Sequence, residues 1–396
     1  MAVSQTRTGA RTDPRGQVLV IVAAGLVSLV AVTGFVIDGG YAWGQQRMNQ
    51  NAADAASEAG AVVLAEILTG LPRSDGDVLT AVGGSTAANG VTKVGAWYTD
   101  ILGSLIDAGG AVVGSRAAAA AVGSGAIPPE AAGVEVATSK TFDTFLMAII
   151  GFETLTTTAD ATAVAGYVQS ICRADGDCAV LPVTIPLNVV TCNSSGDIVP
   201  ADPVQEWPYF NVPVTIPLCK NNPGNVGWLD WTPTAGGVSE LVTAIGPPGT
   251  NDTMTVPGWF YVTATGNINS AQVEDALNWY TANGIPVLIP MFDSTCNTEP
   301  NPPSPGVGDV DRCPPANVGG QGQNQWYHVD RFVSFLFDVP KGAYVSGSDK
   351  AACEENGNGA TSCLKGQFVR FVGPGATVGR GTGNPGASAV GVQLIR

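Results

Sequence analysis

The strongest hydrophobic pattern lies near the beginning of the chain. Residues 18–37 read VLVIVAAGLVSLVAVTGFVI and contain no charge. As a helix, a segment of this length rises about 30 Å, which is the thickness of the hydrocarbon core of a bilayer. The pattern therefore predicts a transmembrane helix over residues 18–37.

A helical pattern continues beyond the apolar run, and no proline occurs between positions 45 and 71. Apolar residues recur there at the 4, 3, 4, 3 spacing of one helix face, at Met48, Ala52, Ala55, Ala59 and Val62. A stripe made mostly of alanine lets another element approach closely but buries little area itself. Two interpretations stay open: the helix packs on its own domain, or it packs against partner subunits.

Residues 78–126 are rich in alanine, glycine and valine and contain no proline. We interpret them as helices broken by glycine that form a stalk or packing segment. The sequence AIPPE at 126–130 ends this segment. One apolar helix face is expected to contain Trp97, Tyr98, Ile101, Leu102, Leu105 and Ile106.

A strand–helix–strand pattern follows. VEV at 134–136 begins a predicted strand, FDTFLMAIIG at 142–151 a short buried helix, and TLTTTADATAVAGYV at 154–168 a threonine-rich strand. Alternation along the second strand is typical of one buried and one solvated face. The buried face is expected to contain Leu155, Thr157, Ala159 and Ala161.

From about residue 172 the chain is rich in cysteine, proline and β-branched residues. PVTIPL occurs at 182–187 and 213–218, and PVLIPM at 286–291. Two prolines four residues apart remove hydrogen-bond donors from one edge of a strand. Each copy is therefore predicted to be an edge or end-of-strand segment.

Other patterns in this part predict one helix and two strands. NSAQVEDALNWYTANG at 269–284 reads as a helix that is capped by Asn269 or Ser270. RFVSFLFDV at 331–339 and GQFVRFV at 366–372 read as strands.

Composition excludes two classes of protein. Charged residues make up 13% of the chain and apolar residues 45%, which argues against a disordered chain. The formal net charge of −15 repels phosphate backbones, so we expect no nucleic-acid partner.

The charges around the apolar run predict its orientation. Three arginines and one aspartate precede it, and the first charge after it is Asp38. The positive-inside rule places the N-terminus in the cytoplasm and the body outside. The run exceeds the roughly 7–15 apolar residues of a signal peptide and no A-x-A site follows it, so we expect a retained anchor.

All eight cysteines lie after residue 171. An even number of cysteines in one part of the chain indicates disulfides formed outside the cytoplasm. Zinc is the alternative, but zinc sites usually contain C-x2–4-C pairs, and five residues separate the nearest pair. Sequential pairing closes the shortest loops: Cys172–Cys178, Cys192–Cys219, Cys296–Cys313 and Cys353–Cys363.

The predicted fold class is α+β. An N-terminal transmembrane helix continues into an alanine-rich helix, and a mixed α/β element and a β-rich, disulfide-stapled C-terminal domain follow.

The N-terminal segment, RGQVLVIVAAGLVSLVAVTGFVIDGGYAWGQQRMNQNAADAASEAGA at 15–61, resembles the N-terminal module of Tad (tight adherence) pilus-assembly proteins, the TadE/TadG-like family. Such modules contain a glycine, an apolar membrane helix, an Asp-Gly-x-Tyr-like exit, and a polar segment with arginine and Asn/Gln that ends in Ala-Asp-Ala-Ala. Residues 134–163 are similar to a downstream strand–helix–strand element of these proteins. The matching positions are Gly16, Asp38, Gly39, Tyr41, Arg47, Asn49, Ala52, Ala53, Asp54, Ala55 and Ala56.

The chain departs from this family in two respects. Processed pilin-like members carry a glutamate five residues after the glycine, whereas Ile21 stands five residues after Gly16, which favours an intact anchor. Some TadG-like proteins contain a von Willebrand type A domain with a D-x-S-x-S metal motif, and FDSTC at 292–296 does not fit this motif.

The expected organisation is a basic cytoplasmic leader at 1–17, a transmembrane helix at 18–37, a helical stalk and pilin-like α+β region at 38–170, and an extracytoplasmic β-rich domain at 171–396. The resemblance implies a non-enzymatic, single-pass protein of the bacterial cytoplasmic membrane in a Tad-type (Flp) pilus-assembly or secretion system. Expected partners are the bilayer, through residues 18–37, other pilus or envelope subunits, and further copies of the chain. A surface adhesin or ligand-binding ectodomain on the same anchor is an alternative, and a secreted hydrolase is another.

Candidate chemistry is sparse. The single histidine, His328, would share a strand face with Asp330, but a lone histidine beside aromatic residues is typical of a structural position. The acid pairs in RADGDC and GDVDRC lack the spacing of an EF-hand, and we interpret them as solvated turn acids. We therefore expect no catalytic residue, no cofactor and no bound metal.

Overall fold

The computed structural model describes residues 14–171, 180–195, 198–205, 207, 210–219, 227–228, 238–246, 254–262, 271–304, 308–319, 325–337, 344–346, 360–370, 372–374, 377–379 and 389–395. Structural statements below refer to these residues. They form four α-helices and seventeen strands in two larger sheets and one two-stranded sheet, so the α+β prediction is confirmed.

Helix α1 is continuous over Pro14–Leu68, 55 residues. The predicted transmembrane helix and the alanine-rich helix are therefore one element, and the two glycines at 39–40 do not interrupt it. Within the apolar run, the hydroxyls of Ser28 and Thr33 donate to the carbonyls four residues earlier, so no polar group there needs water. The helix ends where Gly70 adopts φ +81°, the left-handed conformation that glycine tolerates at helix ends.

The first sheet packs against α1 and α2 (Asp75–Ala88). Its order is β1-β2-β3-β17-β15, with β16 and β9 also paired to β3. β2 and β3 form a long antiparallel hairpin whose register runs from Gly133↔Val164 to Asp143↔Thr154. The strands are β1 Thr92–Thr99, β2 Gly133–Asp143, β3 Thr154–Ile171, β9 Met254–Thr255, β15 Val372–Pro374, β16 Thr377–Gly379 and β17 Val390–Ile395.

The alternation predicted for β3 is observed. Ala159 and Ala161 are buried and Leu155 and Thr157 are half-buried, whereas the intervening residues from Thr154 to Asp160 are exposed. The sheet also combines strands from both sides of the predicted boundary at residue 171.

The helical prediction for residues 78–126 is wrong after α2. Residues 92–99 form β1, where Ala96 and Tyr98 alternate into the core and pair with β2, because burial on a sheet overrides weak helical periodicity. The residues that follow form turns in which the carboxylates of Asp100 and Asp107 accept backbone N–H groups two and four positions later. Leu102, predicted on a buried face, is 77% exposed.

The short helix predicted at 142–151 is a 3-10 turn, Met147–Ile150, at the tip of the β2–β3 hairpin. It is not buried: Phe145, Ile149 and Phe152 are 63%, 70% and 56% exposed. We refer to residues 144–152 as the hairpin tip.

The second sheet has eight strands in the order β13-β14-β12-β11-β4-β8, with β10 paired to β12 and β7 to β14. Helices α3 (Val238–Ile245) and α4 (Ala271–Asn283) pack on it around a core that contains Phe335 and Phe368. The strands are β4 Val183–Pro186, β7 Pro213–Cys219, β8 Gly227–Trp228, β10 Gly258–Val262, β11 Val287–Cys296, β12 Gln325–Phe337, β13 Tyr344–Ser346 and β14 Ala360–Phe368; β5 Val190–Cys192 and β6 Ile198–Pro200 pair separately.

The three proline-containing repeats are predicted to be edge or end-of-strand segments. The repeat at 213–218 forms β7, which pairs with β14 at an edge of the sheet, and the repeat at 286–291 forms the first half of β11. β4 and β11 lie beside each other inside the sheet. Although Pro290 lacks a donor, the carbonyls of Leu288 and Phe292 still accept N–H groups from the β4 segment, and the Thr184 hydroxyl donates to the Pro290 carbonyl.

The predicted helix at 269–284 is α4, which ends at Gly284 with φ +62°; its predicted caps lie outside the described residues. The strand predicted at 331–339 is the second half of β12. The strand predicted at 366–372 begins inside β14, which ends at Phe368.

Candidate functional site

The apolar part of α1 leaves the packed body at Gly34. Residues 18–29 are exposed on every side, whereas from Gly34 onward one face of the helix is buried. A Cβ at Gly34 would lie 3.0 Å from the Cβ of Leu146, so glycine allows the helix to approach the hairpin tip closely. Among the described residues, α1 is the one helix long and apolar enough to cross a membrane.

Asp38 joins the end of the apolar run to the hairpin tip. Its carboxylate, 1% exposed, accepts the backbone N–H groups of Phe145, Leu146 and Met147 at 2.8, 2.9 and 2.6 Å. Burial alone would raise the pKa of Asp38, but these three donors outweigh it and lower the pKa below its ordinary value. The ionised carboxylate therefore holds the tip against the helix.

Aromatic contacts reinforce this junction. Tyr41, one turn beyond Asp38, meets the rings of Phe142 and Phe145 edge-on, with centroid distances of 5.2 and 5.0 Å. Such T-shaped pairs contribute stability beyond simple burial. Two residues of the Asp-Gly-x-Tyr exit thus bind the same hairpin.

The polar segment of α1 binds the edge of β3 further along. Asn49, which is fully buried, donates to the carbonyl of Thr157 at 3.1 Å and accepts the Thr138 hydroxyl at 2.9 Å. The side-chain amides of Gln46 and Gln50 donate to the carbonyls of Thr158 and Asp160, further along β3. The three amides hold the helix in one register along the hairpin.

The alanines of the motif allow this close packing. Ala52, Ala53 and Ala56 are fully buried and lie against β3, α2 and their neighbours. Asp54 is half-buried and accepts from the side-chain amide of Gln50, and Ala55 is half-buried. The interpretation in which the helix packs on its own domain therefore accounts for this face.

The opposite face of α1 remains open. Trp43, Met48 and Val62 are 65%, 53% and 37% exposed, and a Cβ at Gly39, Gly40 or Gly44 would meet no atom within 4 Å. The guanidinium of Arg47 stacks on Trp43 at 4.6 Å from the ring centroid. The predicted apolar stripe is therefore divided. Ala52 is buried inside the body, whereas Met48 and Val62, at the two ends of the stripe, lie on the surface.

The motif positions lie in one segment that matches a family model. Residues 16–63 match the Tad family model. That family is described as "Putative Flp pilus-assembly TadE/G-like", and we call residues 16–63 the Tad module. No curated protein and no solved structure matches the chain.

Family resemblance identified Asp38 and Asn49 in the Tad module, but the sequence did not reveal their partners. Leu146 and Thr157 lie 108 positions further along the chain than Asp38 and Asn49 respectively, and no local pattern encodes such a separation. The sequence of the tip does mark it as unusual, because it is an uncharged, apolar segment between two acidic residues, Asp143 and Glu153.

His328 lies in a second polar cluster, far from the Tad module in sequence. It is 3% exposed, with Nδ1 2.6 Å from Asp293 and Nε2 3.2 Å from Asp309, and its ring lies 5.1 Å from Trp259. Asp330, the expected neighbour, instead accepts from Arg331. The two residues lie two positions apart on β12, but β11 and the loop before β12 supply the hydrogen-bond partners of His328.

Both ring nitrogens of His328 face carboxylates, so both act as donors when the ring is protonated. Burial alone would lower the pKa of His328, but the hydrogen bond and charge of Asp293, together with Asp309, raise it above its ordinary value. Asp309 also accepts from Arg312 at 2.8 Å. Asp309 is therefore a partner in a charged network and not only a solvated turn acid. In the described ranges, no group of three or more His, Cys, Asp or Glu side chains could hold a metal ion.

A disulfide lies next to this cluster. Cys296 and Cys313 are bonded, with Cα atoms 5.8 Å apart, and pack against Trp259, whose indole N–H donates to the Asp309 carbonyl at 2.6 Å. This is one of the sequential pairs expected. Cys192 and Cys363 each take part in a disulfide as well. Because Cys172, Cys178 and Cys353 lie outside the described residues, the other pairings stay predictions.

Proposed function

We propose that this chain is a non-enzymatic, single-pass envelope protein of a Flp-type pilus-assembly or secretion system. In this proposal, the Tad module anchors the protein in the bacterial cytoplasmic membrane and couples the anchor to the body. The observation that carries the proposal is the binding of Asp38 to the hairpin tip, which joins the end of the apolar run to the first sheet.

One continuous helix couples the proposed membrane segment to the body. The helix that would cross the membrane is the same helix that carries Asn49 and the buried alanines. A force applied to the body is therefore transmitted to the membrane segment through a continuous helix and not through a linker. This suits a component that resists traction during assembly.

The proposed orientation has the N-terminus inside and the body outside. The arginines before the apolar run support it, and the Cys296–Cys313 disulfide supports an oxidising compartment for the body.

Partner subunits, or further copies of the chain, are proposed to pack on the open face of α1. That face combines small residues at Gly40 and Gly44, which permit close helix approach, with the exposed side chains of Met48 and Val62.

Photo-crosslinking in the native host tests this proposal. A crosslinking side chain at Met48 is expected to capture pilus or envelope subunits, or a second copy of the chain. The same side chain at Leu102, which is more exposed and belongs to a loop outside α1, is the matched control. Equal capture at both positions, or capture at neither, would contradict the assembly role of the module.

A further inference from the structure

We infer that the hairpin tip is a second membrane contact, inserted into the outer interfacial layer of the bilayer beside α1. This inference rests on the proposed anchoring by α1 and adds a lipid-binding surface on a different part of the chain. It is argued from the side chains of the tip, its depth, its direction and its backbone hydrogen bonds.

The tip presents apolar side chains to its surroundings. Phe145 and Phe152 are more than half exposed, and Ile149 is 70% exposed. The nine residues from 144 to 152 carry no charge, and Asp143 and Glu153 flank them. In water such a surface is unfavourable, whereas in a bilayer each apolar side chain gains the free energy of burial.

The depth of the tip follows from the helix register. Gly34 and Asp38, which contact the tip, lie 16 and 20 residues after Val18, or about 24 and 30 Å along the helix. The hydrocarbon core is about 30 Å thick. If the apolar run spans this core, the tip lies at its outer boundary.

The hairpin points toward the membrane and not away from it. Going down α1 toward the bilayer, Gln50 contacts Asp160, Asn49 contacts Thr157, and Asp38 contacts the tip. The β2–β3 hairpin therefore runs along the helix, and its tip lies at the level of the last turn of the apolar run.

The backbone of the tip is prepared for a poorly hydrated environment. Seven of its N–H groups have protein acceptors: those of 145–147 bind the Asp38 carboxylate, and those of Thr144, Ile149, Gly151 and Phe152 bind nearby carbonyls. An unpaired backbone group in the bilayer costs several kcal/mol, so this pairing lowers the cost of insertion. Because irregular backbone is not found in contact with lipid inside the core, the expected depth is the interface.

The occupant is argued to be lipid because the tip is continuous with the membrane segment. Phe35, Val36 and Ile37, on the turn of α1 between the two residues that contact the tip, Gly34 and Asp38, are 70%, 67% and 47% exposed. A single apolar surface thus extends from the helix onto the tip.

Site-directed spin labelling of the full-length protein in phosphatidylcholine vesicles tests the inference. Single cysteines replace Ile149, Phe35 or Leu102, and each receives a nitroxide; no free thiol occurs among the cysteines that the structure describes. Phe35 reports the anchor. Leu102 is the matched control, an exposed apolar loop residue that follows the strand end paired with Gly133, about 33 Å from the tip along β2.

Accessibility to oxygen, which concentrates in lipid, is compared with accessibility to a water-soluble nickel chelate. The expected oxygen-to-nickel ratio at Ile149→Cys approaches that at Phe35→Cys and exceeds that at Leu102→Cys several-fold. A lipid-like ratio at 35 with a water-like ratio at 149 would overturn the inference and leave the anchor intact. Water-like ratios at positions 35 and 149 would overturn both the inference and the anchor. A label at position 149 that is shielded from oxygen and from the nickel chelate would show that protein covers the tip, and would also overturn the inference.

Discussion

A carboxylate oxygen of Asp38 accepts the backbone N–H of Leu146 at 2.9 Å, although the two residues are 108 positions apart. This contact joins the end of the apolar run in α1 to a hairpin of the first sheet. Phe145 and Met147 bind the same carboxylate. Removal of the negative charge of Asp38 should therefore weaken the junction between the apolar run and the body.

Asp38→Asn is expected to lower the melting temperature of the detergent-extracted protein and to speed hydrogen exchange of the amides of 145–147. Because the pKa of Asp38 is lowered in the folded state, its stabilisation is present above the unfolded carboxyl pKa of about 4. It is lost as the pH falls through the lower folded pKa.

Asp143→Asn is the matched control, since this carboxylate lies exposed at the end of β2. Its melting temperature should stay close to that of the parent protein. Equal effects of the two substitutions would show that Asp38 does not hold the tip.

Asn49→Leu is expected to destabilise the protein by about 2 kcal/mol, because two hydrogen bonds of a buried amide are lost. The loss is limited because the Thr138 hydroxyl also contacts the Ala159 carbonyl at 3.3 Å. Urea unfolding in detergent measures the difference. Asn51→Leu, on an exposed position of the same helix, should change the free energy of unfolding by no more than about 0.5 kcal/mol; a similar loss in both would remove the special role of Asn49.

His328→Gln should flatten the dependence of stability on pH. Because the folded pKa of His328 is raised, its stabilisation is fully present below the unfolded pKa of about 6.5 and is lost as the pH rises through the folded pKa. As the pH rises above about 6.5, the melting temperature of the parent protein should therefore fall more steeply than that of the variant. Parallel curves would show that the two aspartates do not hold a proton on the ring.

Replacement of Cys296 and Cys313 together by alanine is expected to cost about 3 kcal/mol, because the disulfide closes a short loop in the unfolded chain. The two cysteines are 17 positions apart. Val318→Ala, at a 53% exposed residue just beyond the loop, is the control and should change little. A double variant as stable as the parent protein would mean that the network around Trp259 and Asp309 alone holds the loop.

Local patterns were sufficient to predict several elements. The uncharged run at 18–37 and the absence of proline gave α1, and the alternation around Ala159 gave β3, because both signals lie within one element. The C-terminal end of α4 followed from Asn283-Gly284 in the same way.

Contacts between distant segments could not be predicted from these patterns. β1 has a weak local signal and becomes a strand because it pairs with β2, and the two carboxylates beside His328 come from segments 35 and 19 positions away. Family resemblance identified Asp38 as a site residue, yet the amides that it binds emerge only when the hairpin folds back along α1.

In the proposed function, α1 both anchors the chain and belongs to its folded body. Membrane fractionation with alkaline carbonate extraction of the full-length chain and of a variant lacking residues 1–33, which keeps Gly34 and Asp38, tests both roles most directly. The full-length protein is expected to stay in the membrane pellet, while the shortened protein is expected to be soluble and to retain a cooperative thermal transition. Recovery of the full-length protein in the soluble fraction would contradict the anchor.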